Sequence, residues 1–257
     1  MEVKVLDALM GSGKTTKLIN DVSLLPNDRP VIYIAPLLSE CHRFAGTQTD
    51  EEGDIVVDDN GQPVYENHHP LACKAFKHPS NKNRRGTKLE SLTQAVGMGK
   101  NIVSTHSLFR MMNEDITGKI KEKGYTLIID EVLCVWEKYT INKGNSDTAD
   151  LDSTDTDKEI ASLISSGIIE VDPCGVLHWQ WDKFSVVEGT HYEETATLCD
   201  TKQLFMANGT VVLWEYPLWV LEAFKEVWIA TYMFESSFMS EYFKLHGIKY
   251  KIERFGK

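Results

Sequence analysis

The stretch at residues 8–16, A-L-M-G-S-G-K-T-T, constrains the fold of this chain more than any other. It follows a short apolar strand predicted at residues 3–6 and precedes a helix predicted to run to about Ser23. Gly11 and Gly13 let a loop turn its N–H groups inward around an anion, and a helix start adds its positive dipole end there. A strand, a loop and a helix in this order predict a phosphate-binding loop.

The residues of this loop have separate predicted tasks. Lys14 would reach the β- and γ-phosphates of ATP, and the Thr15 hydroxyl would ligate Mg²⁺. The residues predicted to hold the nucleotide are Gly11, Ser12, Gly13, Lys14, Thr15 and Thr16. The pattern G-x-x-x-x-G-K-[ST] begins with glycine, and this chain has Ala8 there. A chance glycine-rich turn is the alternative, but such a turn would not need the Lys-Thr pair.

A second motif supplies the carboxylates that a nucleotide site needs. Residues 126–131 read T-L-I-I-D-E, an apolar strand that ends in two acidic residues. Asp130 would hold Mg²⁺, and Glu131 would orient and deprotonate the attacking water. Taken alone, the motif also fits a strand that ends in a solvated acidic turn. The phosphate-binding loop favours the catalytic interpretation because the two motifs need each other.

Apolar runs bounded by turn residues predict an α/β fold with a central, mostly parallel sheet. The run V-I-Y-I-A at residues 31–35 stands before Pro36, and V-W-I-A-T occupies residues 227–231. Further strands are predicted at residues 101–104, 125–129, 211–214 and 248–252. Helices are predicted at residues 37–45, 89–97, 217–224 and 236–246, with another opening at Thr105. Hairpins are predicted at residues 55–65 and 168–181, and a mobile loop at residues 142–157.

Composition narrows the class of protein. A chain of 257 residues that is 42% hydrophobic can form one large domain or a domain with a large insertion. The net charge of −11 excludes a general nucleic-acid binder, so any such partner must meet a local basic patch. Five cysteines without a C-x-x-C pair indicate reduced thiols. We expect no signal peptide, and no apolar run reaches the length of a membrane helix. We expect a cytoplasmic protein with no membrane partner, in the host cytoplasm if it is phage-encoded.

The motifs together resemble those of superfamily-two helicases. A-L-M-G-S-G-K-T is similar to their motif I, and D-E-V-L at residues 130–133 is similar to their D-E-x-x box. I-A-P-L-L-S-E at residues 34–40 and V-S-T-H-S-L at residues 103–108 stand where those proteins contact the nucleic-acid backbone. W-I-A-T-Y at residues 228–232 resembles the S-A-T coupling motif, and it includes Thr231. The chain is most similar to phage-type helicase-like ATPases over its core strands.

The resemblance implies one RecA-like ATPase domain over residues 1–257, which hydrolyses ATP and couples this to movement on nucleic acid. Such motors use a second RecA-like domain that supplies an arginine finger, and we expect that domain to be absent from this chain. It would then be provided in cis by a longer protein or in trans by a partner. A missing finger predicts slow turnover by the chain alone. Residues 46–88 form an expected acidic and basic loop insertion, and residues 135–225 an expected α+β inserted subdomain.

A basic stretch is the predicted contact for the phosphate backbone of single-stranded DNA or RNA. Its cations are Lys74, Lys77, Lys82, Arg84, Arg85 and Lys88. Thr105 and His106 are further candidates for backbone contacts, and Thr231 is the candidate link between the ATP and nucleic-acid states. A solvated loop and a helix cap are the alternatives for the first two groups. Trp179, Trp181 and Tyr192 could stack bases, but the pattern favours core positions.

Two other functions stay open from the sequence. The loop M-G-S-G-K-T-T-K-L-I also resembles that of thymidine-kinase-type nucleoside kinases, although the chain lacks the C-x-x-C pairs of their zinc lasso. A nucleotide-gated binding module, in which ATP clamps a nucleic acid or protein without efficient turnover, is the non-enzyme alternative. Zinc is not expected, because the spacing of the cysteines and histidines between Cys41 and His78 matches no usual ligand set.

Overall fold

The computed structural model of the protein describes residues 1–60, 62–80, 87–141 and 153–254. The strands are, in chain order, β1 (Glu2–Asp7), β2 (Val31–Ala35), β3 (Ile102–Thr105), β4 (Thr126–Asp130), β5 (Trp136–Lys138), β6 (Ile169–Val171), β7 (Leu177–Trp179), β8 (Leu204–Ala207), β9 (Val211–Glu215), β10 (Glu226–Thr231) and β11 (Tyr250–Arg254). The helices are α1 (Lys14–Ser23), α2 (Leu38–Ala45), α3 (Lys88–Gly97), α4 (His106–Phe109), α5 (Glu114–Lys123), α6 (Ser153–Ser165), α7 (Glu193–Asp200), α8 (Leu218–Glu222) and α9 (Phe238–Leu245).

The chain divides into two compact units. The first combines residues 1–133 with residues 218–257, and the second is the continuous stretch 134–217. Helix α8 therefore belongs to the first unit, whereas the sequence pattern assigns its residues to the stretch 135–225. Among the described residues, no helix combines the length and the hydropathy needed to cross a membrane.

A six-stranded sheet organises the first unit, in the order β11-β1-β10-β4-β2-β3. Every pairing in this sheet is parallel, so all six strands end at the same edge. The register sets Asp7 opposite Thr231 and Ala230 opposite Asp130. The prediction of an α/β fold with a central parallel sheet is confirmed. The carboxyl edge of this sheet brings together loops that are far apart in the sequence.

Burial explains the apolar runs of the central strands. All five residues of β2 and all five of β4 are buried, as expected for parallel strands covered on both faces. Helix α1 turns Leu18 and Val22 to the core, one turn apart on the same face. Helix α2 adds Phe44, whose ring stacks on Tyr33 with centroids 3.7 Å apart. These contacts fix the two helices that flank the loop at residues 8–13.

The segment after α2 differs from the predicted insertion. In place of a strand hairpin it forms single antiparallel bridges, Thr47 with Tyr65, Thr49 with Ile55, and Val57 with Pro63. Gly61, in the predicted turn, lies outside the described residues. Phe76 is fully buried, and Lys77 bridges to Ile102 beside the edge strand β3. The segment is thus anchored in the core at its end, despite its polar sequence.

Three further differences concern helices. The helix that opens at Thr105 ends at Phe109, and a separate helix, α5, begins after the cap residue Asn113, whose side chain accepts from Ile116 N. Helix α6 begins at Ser153, so the last five residues of the predicted loop 142–157 are helical. The rest of that predicted loop lies outside the described residues. No helix was predicted over α6, because its first residues are Ser, Thr and Asp, which are typical of loops and also favour helix starts.

The second unit contains two small antiparallel sheets. Strands β5, β9 and β8 form one, and β6 with β7 forms the hairpin expected near residues 168–181. Asp172 closes this hairpin by accepting from the N–H groups of Cys174 and Val176. Trp179 is 5% exposed and thus a core residue, as the pattern favours. Trp181 is 41% exposed and donates its ring N–H to Asp200, so it is not core.

Candidate functional site

The loop between β1 and α1 carries unpaired N–H groups at the carboxyl edge of the sheet. Gly11 and Gly13 have φ values of 75° and 88°, left-handed conformations that favour glycine. Lys17 N is the first helix amide to bond back, to Gly13 O at 2.9 Å. Within the described part of the chain, the amides of Lys14, Thr15 and Thr16 donate to no backbone carbonyl. Free amides at the start of a ten-residue helix fit an anionic ligand.

Lys14 folds back over this loop. Its side chain is 8% exposed, and Nζ donates to Ala8 O at 3.0 Å. The same ammonium lies 3.8 Å from Glu131 Oε1, which brings the two motifs together. A buried ammonium needs partners, and here a carbonyl and a carboxylate provide them. The lysine is therefore held at the loop with its charge pointing toward the second motif.

Asp130 is the buried carboxylate of the site, 5% exposed at the end of β4. Tyr33 donates its hydroxyl to Asp130 Oδ2 at 2.5 Å, and Thr15 Oγ1 donates to the same oxygen at 3.4 Å. Burial and the Asp130 charge both raise the pKa of Tyr33, so its hydroxyl stays protonated and remains a donor. Two hydroxyl donors thus converge on one oxygen of the Asp130 carboxylate.

Asp130 and Thr15 together fit a magnesium ion. No group of three His, Cys, Asp or Glu side chains converges as metal ligands anywhere in the described residues. Magnesium does not require such a group, because it is usually held by one or two carboxylates together with substrate phosphates and water. A carboxylate and a hydroxyl 3.4 Å apart match that ligand set.

Glu131 is the next residue after Asp130, and its side chain is more exposed to solvent. Its φ is 61°, a left-handed conformation, and its N–H donates to Ala230 O at 2.9 Å. Thr231 Oγ1 donates to Glu131 Oε2 at 2.9 Å. The Glu131 side chain is 41% exposed, whereas Thr231 is buried at the end of β10. A neighbouring strand thus fixes the orientation of a carboxylate that remains open to solvent.

The end of β1 is tied to the turn that follows Thr231. Asp7 accepts from Met233 N at 2.8 Å and from Phe234 N at 3.3 Å. Ala8 N donates to Thr231 O at 3.0 Å. These bonds fasten the start of the loop between β1 and α1 to the strand that orients Glu131.

A cavity of about 530 Å³ joins these groups, which is large enough for a small-molecule ligand. The lining residues are Met10, Gly11, Gly13, Lys14, Thr15, Thr16, Ile19, Glu40, Arg43, Glu66, His69, Asp130 and Glu131. Ser12, predicted to bind the nucleotide, is not among them, and its hydroxyl donates to Leu9 O.

Sequence patterns did not single out Tyr33, Arg43 or His69 for this site. Arg43 and His69 line the cavity, and Tyr33 bonds Asp130. Because β2 ends at the carboxyl edge of the sheet, the sequence could have shown that the next helix, which carries Arg43, begins near the site. Nothing in the pattern marks which face of that helix meets the loop.

The predicted basic stretch is only partly available to a ligand. Lys74 is 6% exposed, and its Nζ donates to Leu25 O at 2.6 Å and to Asn27 Oδ1. This placement argues against a phosphate contact for Lys74, because its ammonium caps a turn inside the protein. Lys77 bonds Gln62, and Lys88 is exposed at the start of α3. Lys82, Arg84 and Arg85 lie outside the described residues.

Thr105 and His106 stand at the carboxyl end of β3. Thr105 is the N-cap of α4, with Oγ1 accepting from Leu108 N at 3.5 Å, so the cap alternative has structural support. Burial lowers the pKa of His106, although the nearby Asp130 charge opposes this shift. His106 is therefore a neutral hydrogen-bonding group near pH 7, not a cation.

Comparison with known proteins gives one informative similarity. The chain is similar to the SPbeta prophage-derived uncharacterized protein YonV of Bacillus subtilis (strain 168), with 28% identity over 255 residues. The similarity covers 97% of this chain and 53% of that protein, so the chain spans about half the length of the relative. No protein-family profile and no solved structure matches the chain.

Proposed function

We propose that the chain binds ATP with Mg²⁺ at the carboxyl edge of the central sheet and hydrolyses it. In this proposal it is a P-loop, RecA-like first motor domain of a superfamily-two-like helicase or translocase. One observation carries the proposal: Thr15 and Asp130, 115 positions apart in the chain, meet within 3.4 Å in a cavity that also holds Lys14 and Glu131. The prophage origin of the relative YonV fits a phage-type ATPase, and its name adds nothing about activity.

The loop would receive the triphosphate. The free amides of Lys14, Thr15 and Thr16 would donate to phosphate oxygens, with the positive end of α1 behind them. Lys14 Nζ, which bonds Ala8 O at 3.0 Å, would bond the β- and γ-phosphates instead. Thr15 and Asp130 would hold Mg²⁺, which when bound neutralises charge on these phosphates.

Glu131 would then act on water. Oriented by Thr231, its carboxylate would accept a proton as the water oxygen attacks the γ-phosphorus. A new P–O bond forms, the bond from the γ-phosphorus to the bridging oxygen breaks, and ADP leaves with that electron pair. The products are ADP, inorganic phosphate and the proton held by Glu131, so atoms and charge balance.

Coupling to nucleic acid is part of the proposal. The exposed Lys88 and half-buried Lys77, with Lys82, Arg84 and Arg85, would contact the backbone of single-stranded DNA or RNA, and Lys74 would not. Thr105 and His106 would add neutral contacts at the end of β3. A second RecA-like domain, in cis or in trans, would complete the motor.

Equilibrium binding of ATP in the presence of Mg²⁺ tests the site directly. The wild-type chain should bind, and Lys14→Ala should weaken binding by tenfold or more, since a charge-assisted contact to phosphate is worth about 1.5–3 kcal/mol. Lys17→Ala is the matched control, because Lys17 lies one turn on and pairs with Asp21 at 2.7 Å. Absence of binding by the wild-type chain, or equal loss in both variants, would contradict the proposal.

A further inference from the structure

Arg43 brings a second cation to the candidate site. It is exposed on α2, lines the same cavity as Lys14 and Glu131, and its Nη2 lies 3.5 Å from Thr15 Oγ1. Thr15 Oγ1 is also the atom that meets Asp130. The guanidinium therefore stands beside the pair of residues proposed to hold Mg²⁺, and it comes from the side of β2.

The backbone beneath Arg43 is firmly held. Its neighbours Cys41, Phe44 and Ala45 are fully buried, and the Cys41 thiol donates to Ser104 O at 3.0 Å. Phe44 stacks on Tyr33, the residue that bonds Asp130. The position of the Arg43 backbone is thus linked by direct contacts to the carboxylate of the site, and only the exposed side chain is free to adjust.

The C-terminal end of α2 is fixed as well. Gly46 caps the helix with a φ of 68°, and a Cβ placed on it would come within 2.2 Å of the His69 ring. This close approach requires glycine there and holds His69 against the helix end. Burial lowers the pKa of His69, which keeps the ring neutral and leaves Arg43 as the nearby cation of this helix end.

Among the described residues, no carboxylate pairs with Arg43, although several are close. Glu40, Glu66, Asp130 and Glu131 line the same cavity. Across the described residues, Arg43 forms no ion pair with any of them or with another acid, and its recorded side-chain contact is the Thr15 hydroxyl. Apart from the Nη2 contact with Thr15, its N–H donors are therefore available to an anion. A guanidinium matches phosphate oxygens in a two-pronged geometry.

We propose that Arg43 is a catalytic residue that this chain itself supplies to the γ-phosphoryl group, an inference that rests on the proposed ATP hydrolysis. As the bond to the bridging oxygen breaks, negative charge spreads over the γ-phosphoryl oxygens and the leaving oxygen of ADP. Arg43 stabilises that charge from the β2 side, and Lys14 does so from the loop. The chain then requires no arginine from a second domain for this step, in contrast to the expectation from the family resemblance.

Three variants separate catalysis from binding. Arg43→Ala removes the guanidinium, Arg43→Lys keeps the charge and removes the fork, and Arg110→Ala removes an exposed arginine at the end of α4 that does not line the cavity. For each variant we would measure kcat with Mg·ATP, the Kd for ADP, and the Kd for ADP with aluminium fluoride. The last complex mimics the transferring phosphoryl group.

The expected result is a kcat for Arg43→Ala lower by about 10³-fold, the low end of the range for arginine fingers. Its Kd for ADP should change by less than threefold, because ADP lacks the γ-phosphate, whereas the aluminium fluoride complex should weaken strongly. The kcat of Arg43→Lys should lie between those of Arg43→Ala and the wild type. Arg110→Ala should match the wild type in kcat and in both Kd values.

Three outcomes would overturn this role. If Arg43→Ala keeps the wild-type kcat while Lys14→Ala loses it, the ATPase proposal stands and the role of Arg43 is wrong. If Arg43→Ala raises the Kd for ADP and the Kd for ADP with aluminium fluoride by the same factor, Arg43 contributes to nucleotide binding and not to catalysis. If the wild-type chain binds no ATP or never hydrolyses it, the proposed function and this role fail together.

Discussion

At the scale of single residues, the geometry of Glu131 is the most informative. A non-glycine residue in a left-handed conformation costs about 1–2 kcal/mol, and such residues concentrate at functional sites. Glu131 keeps this conformation through its backbone bond to Ala230, and Thr231 holds its carboxylate. The arrangement holds the Glu131 side chain at the cavity, just after the end of β4. We infer that Thr231 positions the proposed general base.

Substitution of Thr231 tests this positioning role. Thr231→Val keeps the shape of the buried side chain and removes its hydrogen bond to Glu131, so kcat for ATP should fall by about tenfold or more, part of the 10²–10⁴ that general-base catalysis contributes. KM should stay near the wild-type value, because the loop proposed to bind phosphate is unchanged. Steady-state kinetics would measure both. Thr231→Ser is the matched control, and an unchanged kcat in the valine variant would refute the role.

The bond between Tyr33 and Asp130 gives a prediction about stability. Tyr33→Phe leaves a buried carboxylate without its closest donor, which should lower the free energy of unfolding by about 1.5–3 kcal/mol, as for hydrogen bonds to charged groups. Tyr65→Phe is the control, because Tyr65 donates to a neutral carbonyl, Phe76 O, at 3.0 Å. Its loss should cost only about 0.5–1.5 kcal/mol. Urea unfolding curves that show equal losses in the two variants would contradict this prediction.

Single residues were predictable from the sequence where the chemistry depends on motif spacing. Lys14, Thr15, Asp130 and Glu131 converge because parallel strands end at one edge. Contacts made by a helix face were not predictable, which is why Arg43 was missed. Lys74 shows the opposite error: counting cations along a polar stretch does not reveal that one ammonium is buried against backbone carbonyls.

At the scale of elements, the segment between α2 and α3 depends on buried histidines. His42 and His78 meet edge to face with ring centroids 5.0 Å apart, and each has a buried ring nitrogen without a partner among the described residues. Burial, together with the neighbouring His42 and Lys77, lowers the pKa of His78 to about 3. Burial also lowers the pKa of His42. The folded segment therefore requires neutral imidazoles.

This requirement predicts a loss of stability in acid. Between about pH 6.5 and pH 3 the unfolded chain binds a proton at His78 that the folded chain does not, so the free energy of unfolding decreases as pH falls through that window. For His78 alone the loss from pH 7 to pH 5 should reach about 2 kcal/mol at most. Urea unfolding at both pH values would measure it.

The control for this prediction uses two histidines of the same segment. His78→Asn should be less stable at pH 7 and should lose much of the pH dependence. His68 is exposed with a φ of 65°, which asparagine tolerates, so His68→Asn should keep the pH dependence. An equal dependence in all three chains would assign the effect to other groups.

Elements were predictable where their periodicity was strong. The continuous apolar runs identified β2, β4 and β10. Helices α5, α6 and α7 and strands β5 and β8 were not predicted. Helix α5 buries only Ile116, Thr117 and Ile120, so few apolar residues mark it against a charged background.

At the scale of the whole molecule, strand order decides what the motifs can do. Strand β10 lies between β1 and β4, although it follows them late in the chain. That order places Thr231 between the β1–α1 loop and Glu131, which motif order alone could not reveal. In the sequence, residues 134–217 form a separate unit that interrupts the first unit. The whole-protein activity stays a proposal, since the chain spans about half the length of its relative.

Phosphate release from Mg·ATP tests the central claim most directly. We would measure it at steady state with and without single-stranded DNA or RNA, for the wild-type chain, Lys14→Ala and Glu131→Gln. We predict turnover that rises with nucleic acid and is lost in both variants, with ATP binding retained by Glu131→Gln. A wild-type rate at background with every nucleic acid, despite bound ATP, would contradict the motor and indicate a nucleotide-gated clamp. Turnover that survives in both variants would contradict the site itself.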